Sequence, residues 1–138
     1  MRAVVDPNVV ISALIAPHGT PATVLRAWIV GAYDLVVSPL LLAELERALG
    51  YPKLRARVTE LEAQELIELL GREADVRDDP NRPPAIRSPN PGDDYLVALA
   101  EETRAVIVSG DAHLLGLAND LPVYSPAAFL ALLDQEGS

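Results

Sequence analysis

The sequence predicts a three-layer α/β domain, a mostly parallel central sheet flanked by helices, and three observations lead there. Short apolar runs alternate with helix-length segments from end to end. Those runs lack the period-two alternation of half-exposed strands, as strands buried on both faces do. Three hydroxyl–proline pairs, Thr20-Pro21, Ser38-Pro39 and Ser125-Pro126, each place a cap residue before a proline suited to the first helical position. With 138 residues and neither an internal repeat nor a dividing linker, one domain over 1–138 is expected.

Residues 2–6 are short, apolar and β-branched, and end in Asp6, as expected of a buried strand whose last residue reaches the sheet edge. Pro7 stops that strand, and Asn8 can cap a helix from Val9 to Ala16. Thr20-Pro21 opens a helix to about Val30, with Gly31 as its stop. Leu35-Val36-Val37 is the second strand. The helix after Ser38-Pro39 carries Leu41, Leu42, Leu45 and Leu49 on one face and ends at Gly50. Thr59 starts a further helix with a less regular apolar stripe, and Ala74-Asp75-Val76 is a weak third strand. Residues 77–92, rich in Pro, Asp, Asn and Arg, read as a long surface loop, a feature that is often functional. A helix then carries Leu96, Val97, Leu99 and Ala100, and Ala105 to Val108 is the clearest strand. A short helix at His113–Leu117, a last strand at Val123-Tyr124 and a helix to about Leu133 complete the chain.

Composition narrows the function classes. With no cysteine, disulfide scaffolds and thiolate metal sites are excluded, and a reducing compartment fits. The N-terminus reaches Asp6 after three apolar residues, so no signal peptide is expected, and the apolar stretches break well before the roughly 20 residues of a spanning helix. The expectation is a cytoplasmic protein with no membrane segment. The net charge of −9 disfavours nonspecific nucleic-acid binding, which comes largely from basic residues displacing phosphate counterions. Bound divalent cations would reverse the local sign.

Ligands of open parallel sheets bind outside the carboxyl ends of the strands. Asp6 ends the first strand, and Asp111 lies three residues past Val108. Glu44, in the helix after the second strand, and Asp93, at the start of the helix before the Val106 strand, can join them. Four converging carboxylates would repel one another unless they hold a hard cation such as Mg²⁺ or Mn²⁺. Phosphodiester hydrolysis by metal-activated water is the matching chemistry. Each acid also has a plain structural alternative: Asp6, Asp93 and Asp111 as helix caps, Glu44 as solvent-facing surface. His18 and His113 read as surface residues.

The segments around these acids resemble the four acidic motifs of the PIN-domain family. Val4-Val5-Asp6-Pro7-Asn8 is similar to the family's opening strand, and Ser38-Pro39 with Leu42-Ala43-Glu44-Leu45 to its second motif. Asp93-Asp94-Tyr95-Leu96 and Val106-Ile107-Val108-Ser109-Gly110-Asp111 are similar to the third and fourth, together spanning roughly residues 3–126. In particular the chain resembles the VapC-like toxins of prokaryotic toxin–antitoxin pairs. The resemblance implies a Mg²⁺- or Mn²⁺-dependent endoribonuclease acting on RNA, a homodimer held inactive by an antitoxin protein. It implies Asp6 and Asp93 as direct metal ligands, Glu44 completing the site or helping to deprotonate water, and Asp111 orienting a metal-bound water. Asn8, Ser109 and Asp94 would be supporting residues. Pro7 departs from the Thr or Ser usual in the family, losing a hydroxyl and a backbone donor.

Arg77, Arg82 and Arg87, in the loop before Asp93, are candidate phosphate ligands, with a solubilising surface role as the alternative. Two other functions compete. A catalytically degenerate PIN-like binding module is favoured by Pro7 and the acidic surface. A Mg²⁺-dependent phosphatase would need an aspartyl nucleophile and a nearby lysine, but Lys53, the only lysine, falls between helices.

Overall fold

β-Branched and aliphatic runs set the centre of the sheet, because a strand covered on both faces needs side chains that pack on either side. The computed structural model describes residues 1–136. Among these, five strands form one sheet: β1 (Arg2–Val5), β2 (Asp34–Val37), β3 (Asp75–Val76), β4 (Val106–Val108) and β5 (Val123–Tyr124). Their spatial order is β3-β2-β1-β4-β5, and every pair is parallel. The chain winds outward from β1 on one side and then returns to start β4 on the other. A topological switch point therefore lies between β1 and β4, where such sheets form a crevice. The register pairs Val5 with Val108, which brings the next residues, Asp6 and Ser109, side by side at the carboxyl edge.

Eight helices flank the sheet among the described residues: α1 (Pro7–Ile15), α2 (Thr20–Ile29), α3 (Pro39–Leu49), α4 (Pro52–Arg55), α5 (Glu60–Glu73), α6 (Asp94–Thr103), α7 (Ala112–Leu115) and α8 (Pro126–Glu136). The first helix starts at Pro7 instead of Val9, because the Asp6 carboxylate accepts from Asn8 N–H and the proline occupies the first turn. The short α4 is absent from the sequence-based expectation, as four residues are too few for a periodic pattern to show. Thr59 and Glu62 form a reciprocal capping box at the start of α5. Arg104 ends α6 in the left-handed conformation at φ 56°, a place more often held by glycine.

The core joins the buried valines of β1 and β2 to Leu41, Leu45 and Leu49 of α3, which recur at helical spacing. Phe129 of α8 is fully buried and meets Tyr33 edge to face, with ring centroids 4.9 Å apart. The Tyr33 hydroxyl donates to the Val24 carbonyl at 2.9 Å, so this aromatic pair closes the α2 and α8 side without an orphaned polar group. Among the described residues no single helix is long and apolar enough to cross a membrane.

Candidate functional site

Asp6 emerges from β1 into a nearly closed environment, with 4% of its surface exposed. Two donors hold its carboxylate: Asn8 N–H reaches Oδ1 at 3.0 Å, and the Ser109 hydroxyl reaches Oδ2 at 2.8 Å. Burial nevertheless wins over these bonds and raises the Asp6 pKa above the usual carboxylate range, with a smaller contribution from Asp111. Ser109 is fully buried and uses its oxygen twice, since that oxygen also accepts from Asp111 N–H at 3.0 Å. Asp111 in turn caps α7, its Oδ1 accepting from His113 N–H at 3.1 Å.

Asp93 ends a single 3-10 turn (Pro91–Asp93) just before α6. Its pKa is pushed up to about 6, first by burial, then by a hydrogen bond with the Asp111 carboxyl and by the negative charges of Asp6 and Asp111. Its Oδ2 is buried and has no hydrogen-bond partner among the described residues. Three of the four singled-out acids therefore do meet at the carboxyl edge. Glu44 approaches the same edge across Tyr95, but its partly exposed carboxylate is paired with Arg47 one turn along α3, with Nε reaching Oε2 at 3.1 Å and a second, closer bond from Nη2. Arg47 also lies 5.3 Å from the ring centre of Tyr51.

This geometry corrects the expected metal chemistry. Among the described residues, no group of three or more His, Cys, Asp or Glu side chains could hold a metal ion. The physical reason lies in the commitments of the acids. Asp6 has both oxygens on protein donors, Asp111 caps a helix, Asp93 holds its proton more tightly than an ordinary carboxyl, and Glu44 is bound to Arg47. The donor set does not fit Mg²⁺ or Mn²⁺, hard cations that bind through carboxylate oxygens left free to face them. The metal-dependent endoribonuclease, its cofactor and the metal-ligand roles of Asp6, Glu44, Asp93 and Asp111 are accordingly withdrawn. The Mg²⁺-dependent phosphatase falls with the same finding.

The three loop arginines are likewise occupied. Arg77 Nε meets Asp75 at 2.8 Å, Arg82 Nη2 meets Glu102 at 2.8 Å, and Arg87 Nε meets Asp94 at 2.9 Å. Carboxylates of the chain stand where phosphates were expected. Asp94 accepts, besides Arg87, the Ser88 N–H at 2.8 Å, and so anchors the loop that leads into Asp93. Asn8 contributes its backbone donor, while its side chain borders a cleft of about 380 Å³ lined by Ser12, Gly110, Asp111 and Pro126 among others.

Sequence reasoning missed Tyr95. Its hydroxyl pKa is raised first by burial and then by the charges of Asp6, Glu44, Asp93 and Asp79, so it stands among all of these acids. Its position next to Asp93-Asp94 in the third motif was the available signal.

The PIN-domain family model matches residues 2–113, and the chain belongs to that family. No curated protein matches the chain. Among solved structures, VapBC-1 from nontypeable Haemophilus influenzae is similar, with a TM-score of 0.62 and 18% identity over 92% of this chain and 99% of that one. VapBC2 from Rickettsia felis bound to a DNA fragment from their promoter superposes with a TM-score of 0.61 and 13% identity over 91% and 98% of the two chains. A PilT N-terminus domain protein from the archaeon Sulfolobus solfataricus gives 0.60 and 18% over 96% and 93%. At such identities the likeness is one of fold.

Proposed function

We propose that this chain is a PIN-fold binding module that takes a partner protein of the antitoxin kind at the acidic carboxyl edge of its sheet. The observation behind this reading is the buried Asp93 Oδ2, which lacks a donor beside an Asp6 whose two oxygens are engaged and an Asp111 that caps α7. A cationic side chain from a partner would supply that donor and offset the crowding of Asp6, Asp93 and Asp111. The net charge of −9 favours a basic partner and speeds its encounter. The similarity to structures named as VapBC pairs supports a protein partner, as does the resemblance of the four motifs to toxin components. RNA was expected as a substrate and goes with the withdrawn nuclease.

A homodimer belongs to the same proposal. Its support is the pair Ile29 and Val30 at the end of α2, which leave 66% and 81% of their surfaces exposed. Light scattering of wild type against Val30→Asp tests it, and a monomer in both would remove it. A cytoplasmic location is also part of the proposal, on the cysteine-free composition.

Calorimetric titration tests the main reading. Mn²⁺ should give no micromolar binding, whereas an arginine-bearing peptide should bind and lose affinity in Asp93→Asn. Micromolar Mn²⁺ binding that disappears in Asp6→Asn would overturn the proposal.

A further inference from the structure

Residues 78–92, irregular in backbone up to the 3-10 turn that starts at Pro91, are fastened at both ends and in the middle. At the start, Asp79 Oδ2 accepts from Leu40 N–H at 2.9 Å, clipping the segment to the first turn of α3. In the middle, Glu101 on α6 receives the backbone: Ala85 N–H lies 3.1 Å and 3.0 Å from its two oxygens, and Ile86 N–H lies 3.4 Å from Oε1. At the end, Asp94 accepts from both Ser88 N–H and Arg87. Asp94, Ala98 and Glu101 recur at helical spacing, so the segment runs along one face of α6. Pro84 and Ser88, within the segment, are buried. The last residues of the segment form the turn that positions Asp93, with Asp93 N–H donating to the Asn90 carbonyl at 3.0 Å and Gly92 N–H to Asn90 Oδ1 at 3.1 Å.

We propose that residues 78–92 are a strap latched to α6 by the Glu101 carboxylate, and that Glu101, remote from the sheet edge in sequence contacts, positions Asp93 through that strap. The physical ground is the kind of bond at the latch. A carboxylate accepting backbone N–H groups fixes the chain itself, whereas the Arg82–Glu102 pair ties only two exposed side-chain ends. Opening the Glu101 latch releases Ala85 and Ile86 together. What then holds the strap's backbone is Asp79 at its start and Asp94 at its end, the latter one residue from Asp93, so slack passes into the Asn90–Asp93 turn. The significance of Asp93 as a partner contact rests on the reading above, while the latch stands or falls on the unliganded chain.

Amide hydrogen exchange on the full chain, without partner, tests it. In Glu101→Ala the amides of Ala85 and Ile86 lose their acceptors directly, so the informative positions are Ser88, Gly92 and Asp93. Exchange there should quicken about tenfold, as it does when a segment opens as one cooperative unit. Trypsin should also cut faster after Arg87, whereas the bond after Arg82 is followed by Pro83 and resists it. Glu101→Gln, which keeps an acceptor oxygen, should fall between wild type and Glu101→Ala, and it carries the same comparison if the alanine variant does not fold. Glu102→Ala should leave the three amides at wild-type rates. Acceleration confined to Ala85 and Ile86 would reduce Glu101 to a local cap and overturn the proposal. Equal acceleration in Glu102→Ala would overturn it as well. Loss of peptide affinity bears on the binding reading alone.

Discussion

Two sets of carboxylates, one at the sheet edge and one on the outer face of α6, are built from the same residue types and behave in opposite ways. At the edge, Asp6, Asp93 and Asp111 share few donors under burial, so the pKa values of Asp6 and Asp93 rise and one Asp93 oxygen is left without a partner. On α6, Asp94, Glu101 and Glu102 each meet N–H groups of the strap or an arginine. The difference teaches that negative charge alone does not define a metal site. Donor supply and burial decide whether a carboxylate is a structural fastener or a group still short of a partner.

Removing the edge's buried side-chain donor should have the largest effect. Ser109→Ala leaves Asp6 Oδ2 buried without a bond, and urea unfolding should show a loss of about 2 kcal/mol. A smaller change of opposite sign is expected at Asp93. Its pKa is about 6 in the folded chain against 3.8 unperturbed, so the native state holds a proton that the unfolded state has released. Stability from this group is therefore greatest below the lower value and declines as pH rises through that window. Asp93→Asn removes the penalty, and at pH 7 it should stabilise the chain by about 1 kcal/mol once partial exposure is allowed for. The pH dependence of melting between 4 and 7 should flatten in the same variant. Unchanged stability and pH dependence would mean that the edge is no more crowded than the α6 face. Glu44→Ala should give the smallest effect, with no measurable shift in melting temperature, because its pairing with Arg47 is solvent-screened.

Much of the frame was legible in the residues. Val4-Val5 and Val106-Ile107-Val108 read as buried strands, and the hydroxyl–proline pairs marked three helix starts, Ser38 and Ser125 capping as expected while Thr20 falls inside α2 behind Gly19. The acids at the sheet edge were visible too, since Asp6 follows its strand directly and Asp111 lies three residues past Val108. What those acids would bind was not visible. Asp6 could be read as ligand or as cap, and its cap bond to Asn8 N–H depends on the chain turning into α1 at Pro7. Glu101, separated by fifteen or more residues from the backbone it holds, carried no local signal at all.

Local order in the chain was sufficient for the strands, the helices other than the four-residue α4, and the family's motif spacing, because hydrophobic periodicity and capping act over a few residues. Only the tertiary structure decided that Ser109 would reach Asp6, that Arg82 would find Glu102, and that Glu101 would take the Ala85 and Ile86 N–H groups. Those outcomes depend on distances and burial between segments far apart in sequence. Hydrogen-bond reach and desolvation in the assembled fold settle them, and no pattern along the chain encodes either one.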